Sequence, residues 1–453
     1  MKRSLQQLAN WLDADVQREE GIIITGVAID SRVVKEGDLF IPFRGARANG
    51  HRFVRQAIED GAAASLWLKD EPNPPSDVPL VFVEDSERAI QQLASKYREE
   101  LDATVIGVTG SNGKTSTKDF IAAVLSPYKK VAKTEGNFNN ELGLPMTLLN
   151  MPEDTEVAIL EMGMSGFGEI TELAAIARPS IGVITNIGEA HMEDLGSREG
   201  IARAKFELAE HLPEDGLFIY DGDEPLLRAL VPTISVKSVD FGLAEDRTIY
   251  ASDVTQRPEG MQFSVKGLLE EEFLISVYGK HQVKNALVAL VIGKSLGLTN
   301  DEMKQALREA VLTPMRMQPV MTDEGTLFLN DAYNAAPSSV RAAIEFMNET
   351  NLRPKKWLLL GDMLELGSET VQYHTELVEI IDPEQITGVL TFGPLMKHLS
   401  NAVKESYPHV DNFWTDDEKE MHNFVEQLMS DETMILVKGS RGMKMERFIE
   451  GRL

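Results

Sequence analysis

The sequence has no cysteine and no long apolar run, and each absence excludes a class of protein. Without cysteine among its 453 residues, the chain has no disulfide, no thiolate nucleophile and no zinc–sulfur site. No stretch approaches the ~18 consecutive apolar residues of a membrane-spanning helix, so we expect no membrane insertion. Residues 1–20 lack the apolar segment of a secretory signal peptide. These absences predict a cytoplasmic protein.

Positive charge is also scarce. Lys and Arg total 45 against 72 Asp and Glu, which gives a formal net charge of −27 at pH 7. This balance argues against a nucleic-acid partner, because such partners require a strong positive field. Phosphorylated small molecules stay allowed, since they need only local positive charge. Any anion site must then be built from a few Lys and Arg side chains and from backbone N–H groups.

The order of the apolar runs predicts an α/β protein with more than one domain. The first hundred residues resemble a small α/β unit that ends in an amphipathic helix, 86–101, opened by a Ser cap. From residue 104 onward, short β-branched runs alternate with helices, which predicts a parallel, doubly wound sheet. A second alternation starts after the segment 312–320. The predicted domains are residues 1–101, 102–312 and 313–453.

The most specific motif is GVTGSNGKTSTKDF, residues 107–120. An apolar strand, a glycine-rich turn and a helix start together cradle phosphate, because backbone N–H groups converge there and the helix dipole favours negative charge. Lys114 would reach the β- and γ-phosphates, and the Thr115 hydroxyl would ligate Mg²⁺. Val108 stands where the strict P-loop pattern has Gly, so we predict a variant loop. The predicted ATP-binding residues of this loop are Gly110, Ser111, Asn112, Gly113, Lys114, Thr115 and Ser116.

Two strand ends after the loop carry polar residues that fit a metal site. Glu161 ends one apolar run, and Asn186, Glu189 and His191 follow the next. Ligand crevices of open α/β sheets lie at the carboxyl ends of the strands, so we expect these residues to face the loop. A carboxylate, an imidazole and water can hold Mg²⁺ beside a polyphosphate. We predict Thr115, Glu161 and His191 as ligands; a capping acid and a loop histidine are the alternative.

Lys205 lies in a predicted Ser-capped helix, residues 197–210, with no helical ion pair to explain it. The side chains three and four positions away are Ile201, Ala202, Leu208 and Ala209, and none is an acid. From these residues alone, the simplest interpretation is a lysine whose stem covers an apolar stripe while its amine reaches water.

Several motifs, taken in order, resemble those of the Mur ligases and their folylpolyglutamate synthetase relatives: TGSNGKTST, LEMGMSG, NIGEAH, GKHQVKNA and MRMQP. The segment IDSRVVKEGDLFIPFRGARANGH resembles the uridine-nucleotide-binding domain of the later Mur ligases. The resemblance spans nearly the whole chain. It implies an N-terminal domain that binds a UDP-sugar, a central P-loop ATPase-like domain, and a Rossmann-like third domain that binds the incoming amine and closes on ATP.

The resemblance also implies roles for individual residues. Lys205 matches the family lysine that is carbamylated, and Asn285 matches the Asn that contacts adenine, while Gln282 stands where many members have Asn. Arg316 matches the arginine that reaches the phosphates from the third domain. The implied catalytic residues are Lys114, His191, Lys205 and Arg316. The implied nucleotide contacts outside the loop are Asn285, Arg316 and Asp331, and the implied substrate contacts are Ser31, Arg32, Asn139, Asn140, Tyr333 and Asn334.

A basic, glycine-rich stretch follows the late apolar run TMILV. Its cations are Lys438, Arg441 and Lys444. In so acidic a protein it is a candidate clamp for the C-terminal carboxylate of an incoming dipeptide. A solvated basic loop is the alternative.

The function implied is an ATP- and Mg²⁺-dependent ligase. The motifs GNFNNELGLPMTLL, NDAYNAAPSS, LLLGDMLELG and VKGSRGMKME are most similar to those of members that add D-alanyl-D-alanine to UDP-N-acetylmuramoyl-tripeptide through an acyl phosphate, as monomers. Three alternatives stay open. The first two, an amino-acid-adding Mur ligase and a folylpolyglutamate synthetase, fit less well, because the Asp-Asn-Pro-Arg motif of the diaminopimelate-adding enzymes is absent and the uridine segment is present. The third, a nucleotide-switched ATPase, needs no Glu161–His191 pair.

Overall fold

The computed structural model describes residues 1–18, 21–45, 48–189 and 192–451. His191, predicted as a metal ligand and catalytic residue, lies outside the described residues. The described chain is built from mixed α and β elements with largely parallel sheets, so the predicted α/β class is confirmed. None of the described helices is both long and apolar enough to cross a membrane.

The first hundred residues form two small sheets. Their strands are β1 Arg3–Ser4, β2 Asp15–Gln17, β3 Ile23–Ile24, β4 Gly26–Ala28, β5 Asp38–Phe40, β6 Ala64–Leu68 and β7 Leu80–Val83, and their helices are α1 Leu5–Leu12, α2 Val54–Glu59 and α3 Ser86–Glu100. The larger sheet has the order β2-β7-β6-β5-β4 and is parallel except at β2. β1 and β3 pair separately and antiparallel.

The predicted cap of α3 is wrong by one residue. The Asp85 carboxylate accepts hydrogen bonds from the backbone N–H groups of Glu87 and Arg88, at 2.8 and 2.9 Å. Ser86 is the first helical residue, and its buried hydroxyl donates to the carbonyl of Pro42 at 2.8 Å. Both side chains can cap a helix, and here the carboxylate occupies the capping position.

The next two hundred residues are organised around one large sheet. Its strands are β8 Thr104–Thr109, β9 Val131–Lys133, β10 Val157–Glu161, β11 Ile181–Ile184, β12 Leu217–Asp221, β13 Lys237–Gly242, β14 Ile249–Arg257, β15 Gly260–Gly267 and β16 Glu271–Ile275. The accompanying helices are α4 Lys114–Leu125, α5 Gly143–Leu149, α6 Glu169–Ala177, α7 Met192–Leu195, α8 Arg198–Glu210, α9 Pro225–Leu230, α10 Lys280–Ser295 and α11 Asn300–Arg308.

The order of this sheet is β16-β15-β14-β13-β12-β11-β8-β10-β9. The part from β9 to β14 is parallel, while β14, β15 and β16 add an antiparallel extension that the sequence did not predict. β8 lies between β10 and β11. In register, Glu161 lies beside Val108, and Ile184 lies beside Thr109. The carboxyl ends of β10 and β11 therefore flank the glycine-rich loop that follows β8, as the sheet argument predicts.

The remaining residues form a six-stranded sheet in the order β17-β18-β22-β19-β20-β21. Its strands are β17 Gln318–Met321, β18 Leu327–Asp331, β19 Lys355–Gly361, β20 Gly388–Phe392, β21 Asp411–Thr415 and β22 Thr433–Lys438, and its helices are α12 Pro337–Glu349, α13 Thr370–Glu376, α14 Lys397–Ser406 and α15 Glu418–Gln427. Only the edge strand β17 is antiparallel among the described pairings of this sheet. β18 and β22 lie side by side, which brings residue 331 next to residue 438.

Candidate active site

The turn between β8 and α4 requires glycine at two positions. Gly110 has φ +147°, and a Cβ atom there would collide with Thr185 Oγ1. Gly113 has φ +80°, and a Cβ atom there would lie 2.8 Å from Asn285 Oδ1. Both positions combine a backbone conformation that favours glycine with a close approach of a polar side chain. The predicted loop is therefore a tight cradle at the start of α4.

The strand end after β11 holds this loop in place. Asn186 accepts hydrogen bonds from the backbone N–H groups of Ser111, at 3.1 Å, and Asn112, at 2.9 Å. The Thr185 hydroxyl donates to the carbonyl of Asn112 at 2.5 Å. Because these two N–H groups are engaged, the backbone N–H groups that helix geometry leaves available at this turn are those at the start of α4. Thr185 was missed from the sequence, although a polar residue directly after an apolar strand signals such a role.

The Lys114 amine lies over the loop and donates to the carbonyl of Gly110 at 2.8 Å. Desolvation lowers the pKa of Lys114, Glu161 opposes this effect, and the charge of Arg316 adds to it. The lysine is thus held where an anion between it and the helix start would be bound by charge and by N–H groups together.

Thr115 and Glu161 meet in the buried floor of the site. The Thr115 hydroxyl donates to Glu161 Oε2 at 2.9 Å, and Asn139 Nδ2 donates to Glu161 Oε1 at 2.9 Å. Glu161 is only 3% exposed, and its backbone N–H is bound by Thr134 Oγ1. Two hard oxygen donors next to a phosphate cradle suit Mg²⁺, which takes one or two protein oxygens and completes its shell with phosphate and water. Among the described residues, no three His, Asp or Glu side chains cluster as a self-sufficient metal site.

Arg316 lies just before β17 of the third sheet, and its side chain reaches the P-loop. Its Nη2 donates to Thr115 Oγ1 at 2.9 Å, and its guanidinium lies 4.2 Å from the ring centroid of Tyr333. Its Nε atom is buried and has no hydrogen-bond partner in the described part of the chain. A second contact joins the same two parts, since Asn112 Nδ2 donates to Ser338 Oγ at 3.1 Å. An arginine with an unused buried donor beside a phosphate cradle is suited to bind a phosphate oxygen.

Lys205 does not reach water as the amphipathic interpretation required. Its side chain on α8 is 3% exposed and has no hydrogen bond or ion pair to any described residue. Burial and the charge of Lys114 lower the pKa of Lys205 well below its ordinary value. A buried amine without a protein partner is costly unless a ligand or a modification satisfies it. This environment favours the neutral amine, which is the form that reacts with CO₂.

A cavity of about 600 Å³ opens beside the loop and Lys205. Its lining includes Gly110, Ser111 and Lys114 from the loop, Asn139 and Asn140, and Lys205. The structure therefore brings the predicted phosphate-binding residues and the predicted sugar–peptide contacts to one place. A carboxylate held in this cavity would lie next to the phosphate cradle.

Asn285, the residue predicted to contact adenine, lies on α10. Its Nδ2 donates to Gln282 Oε1 at 3.0 Å, and its amide packs against Gly113. Gln282, whose role the sequence left open, is 2% exposed and orients the Asn285 amide. The Asn285 amide therefore lies directly beside the loop and can present an amide edge to a base.

The prediction that Lys438 offers a free charge to an incoming carboxylate is wrong. Lys438 ends β22, is 3% exposed, and donates to Asp331 Oδ2 at 2.5 Å and to the carbonyl of Asn334 at 3.0 Å. Asp331 also accepts from the backbone N–H of Met317 at 3.1 Å. The Lys438 amine is therefore engaged in an ion pair with Asp331, which also binds the backbone next to Arg316. Arg441 is half-exposed and paired with Glu446 at 2.7 Å, so it stays accessible to a ligand.

Ser31 and Arg32 lie apart from this cavity. They form a short turn in which Arg32, with its side chain 85% exposed, pairs with Asp30 at 2.5 Å. A second, larger cavity of about 1140 Å³ opens beside this turn, between the first region and the central sheet. Val33 and Lys35 are among its lining residues.

Comparison with known proteins identifies the family. Three family models match in order: "Mur ligase family, catalytic domain" over residues 23–98, "Mur ligase middle domain" over residues 108–293, and "Mur ligase, glutamate ligase domain" over residues 315–441. A relative from Bacillus subtilis (strain 168), named UDP-N-acetylmuramoyl-tripeptide–D-alanyl-D-alanine ligase, is 43% identical over 99% of this chain and 98% of its own length. The relative of the same name from Escherichia coli (strain K12) is 32% identical over 98% and 97%.

Solved structures agree with this assignment. MurF from Acinetobacter baumannii superposes with a TM-score of 0.87 at 27% identity, covering 99% of this chain and 98% of that one. MurF ligase from Thermotoga maritima in complex with ADP gives 0.82 at 29% identity, covering 94% and 96%. The resemblance and the three-domain architecture inferred from the motifs are thereby confirmed. The chain belongs to the Mur ligase family.

Proposed function

We propose that this protein is an ATP-dependent ligase that joins D-alanyl-D-alanine to UDP-N-acetylmuramoyl-tripeptide. The relatives that match it end to end carry that activity in their names. One observation supports this type of reaction. At Thr115 in the P-loop, the Glu161 carboxylate meets an arginine from the third domain, Arg316, beside a cavity of about 600 Å³. This arrangement suits transfer of a phosphoryl group to a carboxylate held in the cavity.

The loop residues from Gly110 to Ser116 hold the phosphates of ATP, and Asn285, oriented by Gln282, contacts the base. Thr115, Glu161 and His191 are the proposed Mg²⁺ ligands, with a carbamylated Lys205 steadying the ion. Two observations support this set: the oxygen donors of Thr115 and Glu161 lie 2.9 Å apart, and Lys205 has no partner among the described residues. When bound, Mg²⁺ would neutralise charge on the transferring phosphate.

The first chemical step joins two anions, the peptide carboxylate and the γ-phosphate, and gives an acyl phosphate and ADP. Its transition state places charge on the phosphoryl oxygens. Lys114 and Arg316 are the cations held next to Thr115, and fixed cations stabilise such charge without reorganising during the reaction. Asn139 and Asn140, which line the cavity, position the peptide that supplies the carboxylate.

In the second step the amine of the dipeptide attacks the acyl carbonyl, and phosphate leaves from the tetrahedral intermediate. The acyl phosphate must be kept from water until the amine arrives. The contacts of Arg316 with Thr115 and of Ser338 with Asn112 close the third domain over the loop. Arg441 is the proposed contact for the C-terminal carboxylate of the dipeptide, while Tyr333 and Asn334 shape its entry beside Arg316.

The other assignments rest on the same family. Residues 1–101 form the UDP-sugar domain with Ser31 and Arg32 as contacts, residues 102–312 the ATP domain, and residues 313–453 the third domain. Asp331 organises the junction near the ribose. The enzyme works as a monomer in the cytoplasm. An amino-acid-adding Mur ligase, a folylpolyglutamate synthetase and a nucleotide-switched ATPase are the competing functions.

The test measures phosphate release from ATP and Mg²⁺ with UDP-N-acetylmuramoyl-tripeptide and D-alanyl-D-alanine, added separately and together. We expect substantial release only with both substrates, together with a pentapeptide product detected by mass. Equal hydrolysis without either substrate would support the switched ATPase instead. Release with single amino acids or folates, but not with the dipeptide, would support the other two ligases.

A further inference from the structure

Asp119 is a buried carboxylate to which the proposed reaction assigns no role. It lies on α4, is 1% exposed, and uses its two oxygen atoms differently. Oδ1 accepts a hydrogen bond from Lys133 Nζ at 2.8 Å and lies 3.4 Å from Lys118 Nζ. Oδ2 accepts from the backbone N–H and the hydroxyl of Thr313, at 2.8 and 2.6 Å. Oδ1 therefore holds α4 to β9, whereas Oδ2 holds a residue 194 positions later in the chain.

Thr313 lies in the segment that connects the central and third domains, which runs from α11 to β17. At the far end of this segment, the backbone N–H of Met317 donates to Asp331 Oδ1 at 3.1 Å and so joins it to the third sheet. Pro314 follows Thr313, and its ring fixes its own φ and restricts the residue before it to extended conformations. The chain between the anchor on Asp119 and the third domain is therefore short and stiff.

Arg316 belongs to the same segment, and its side chain returns to α4. Its Nη2 donates to Thr115 Oγ1 at 2.9 Å. Thr115 and Asp119 are four residues apart on α4, so they lie on the same face of the helix. Met315 and Met317, on either side of Arg316, adopt φ +63° and +50°, which such residues keep only where their surroundings fix them. The segment is thus bound to α4 at two points one turn apart, and the position of the guanidinium depends on both.

We propose that Asp119 is a positioning residue for the phosphoryl transfer, because it fixes Thr313 and so places the Arg316 guanidinium against the phosphates at the P-loop. This inference rests on the proposed ligase function and adds a residue to it. Asp119 acts through Arg316 and is not itself a catalytic residue. The competing explanation is a carboxylate that only stabilises the fold by joining α4 to β9.

The experiment introduces Thr313→Val, Thr313→Ser and Asp119→Ala into the wild type and, separately, into the Arg316→Ala variant. Thr313→Val removes the hydroxyl that donates to Asp119 and leaves the lysine contacts of the carboxylate in place. It therefore tests the inference even if Asp119→Ala does not fold. Thr313→Ser keeps the hydroxyl and is the conservative variant that should restore activity.

Two substitutions serve as matched controls. Thr233 is exposed, and its hydroxyl donates to the carbonyl of Leu230 at 2.6 Å. Asp154 is exposed and pairs with Lys130 at 2.6 Å. Thr233→Val and Asp154→Ala remove the same kinds of group outside the cavity beside the P-loop and outside the connecting segment. Neither should change kcat or KM.

The assay is phosphate release with ATP, Mg²⁺, UDP-N-acetylmuramoyl-tripeptide and D-alanyl-D-alanine. With Arg316 present, we expect Thr313→Val to lower kcat/KM about three- to tenfold and Asp119→Ala about 10- to 50-fold, mainly through kcat. Thr313→Ser should stay within about twofold of the wild type, because it keeps the hydrogen bond. In the Arg316→Ala variant the same substitutions should cost less than about twofold, because the group that they position is gone.

A distance measurement tests the same placement without catalysis. The chain has no cysteine, so Glu210→Cys and Lys404→Cys attach spin labels at exposed positions of α8 in the central domain and α14 in the third domain. With ATP and Mg²⁺ present, we expect one narrow distance distribution in the otherwise unchanged protein. Thr313→Val and Asp119→Ala should each broaden it.

Two results would overturn the inference. One is an equal fold-loss from Thr313→Val or Asp119→Ala in the wild type and in the Arg316→Ala variant, which would assign Asp119 to fold stability alone. The other is a distance distribution that neither substitution changes. If the wild type releases no phosphate in response to the two substrates, the proposed function itself fails, and the distance distributions still decide whether Asp119 positions the third domain.

Discussion

Replacing Arg316 by alanine removes the guanidinium that crosses from the third sheet to the P-loop. In the structure this group donates to Thr115 Oγ1 at 2.9 Å and stacks on Tyr333, with its Nε atom unused. The alanine variant keeps the loop, Lys114 and Glu161 unchanged. The substitution therefore tests whether the contact between the two domains serves the phosphates or only joins surfaces.

The expected loss follows from the charge-assisted hydrogen bond that the guanidinium would donate to a phosphate oxygen, since its contact with Tyr333 already exists in the free enzyme. Such a bond contributes about 1.5–3 kcal/mol. Its removal corresponds to a loss of about 10- to 150-fold in kcat/KM. Arg316→Lys keeps the charge but loses the planar fork, so it should recover only part of the activity.

The assay is phosphate release with both substrates, measured as kcat and KM for ATP. Arg308→Ala is the control, because Arg308 is an exposed arginine at the end of α11. A transition-state role lowers kcat, whereas simple tethering of ATP raises KM alone. If Arg316→Ala keeps kcat/KM within about twofold of the wild type, the assignment of this arginine to the phosphates is refuted.

Two further predictions concern buried charges. Lys205→Ala should lose activity about 100-fold, as expected for loss of one electrostatic contact in the site, and recover when short carboxylates are added; unchanged activity would contradict carbamylation. Desolvation raises the pKa of the buried Asp119, but Lys118, Lys133 and Thr313 outweigh this effect, so its pKa lies below the ordinary value. A carboxylate with a lowered folded pKa stabilises the fold above its unfolded pKa and loses that contribution as pH falls through the folded value. Asp119→Asn should therefore lower the unfolding free energy by about 3–5 kcal/mol at pH 7 and by less near pH 3, measured by urea unfolding; an equal loss at both pH values would contradict this account.

The loop and the parallel strands were predictable because their signals are local. The run TVIGVT, the glycines and Lys114 follow one another along the chain, and the rest of the cradle follows from sheet geometry. The antiparallel strands β14, β15 and β16 were not predictable in this way. In Ile249–Arg257 only Ile249 and Ala251 are buried, and polar side chains fill most positions, so no continuous apolar run marks the strand.

Predictions that depended on distant partners failed or stayed open for a common reason. Lys438 has the sequence context of a basic loop, but its partner, Asp331, lies 107 residues earlier and becomes its neighbour only when β18 pairs with β22. Lys205 has the spacing of a lysine on an amphipathic helix, and its burial arises from elements that pack over α8. A sequence shows which charges exist, whereas the fold decides which of them are neutralised.

The helix that begins the phosphate cradle also holds the segment that carries Arg316. Asp119 lies one turn after Thr115 on α4, and it accepts hydrogen bonds from the backbone N–H and the hydroxyl of Thr313, at 2.8 and 2.6 Å. Between this anchor and the third sheet, Met315 and Met317 adopt φ +63° and +50°, a conformation that costs a non-glycine residue about 1–3 kcal/mol unless its surroundings fix it. On α4, Asp119 binds Thr313 and Thr115 binds Arg316, so the helix holds both ends of this short segment. The position of the third domain and the geometry of the phosphate site are therefore set together.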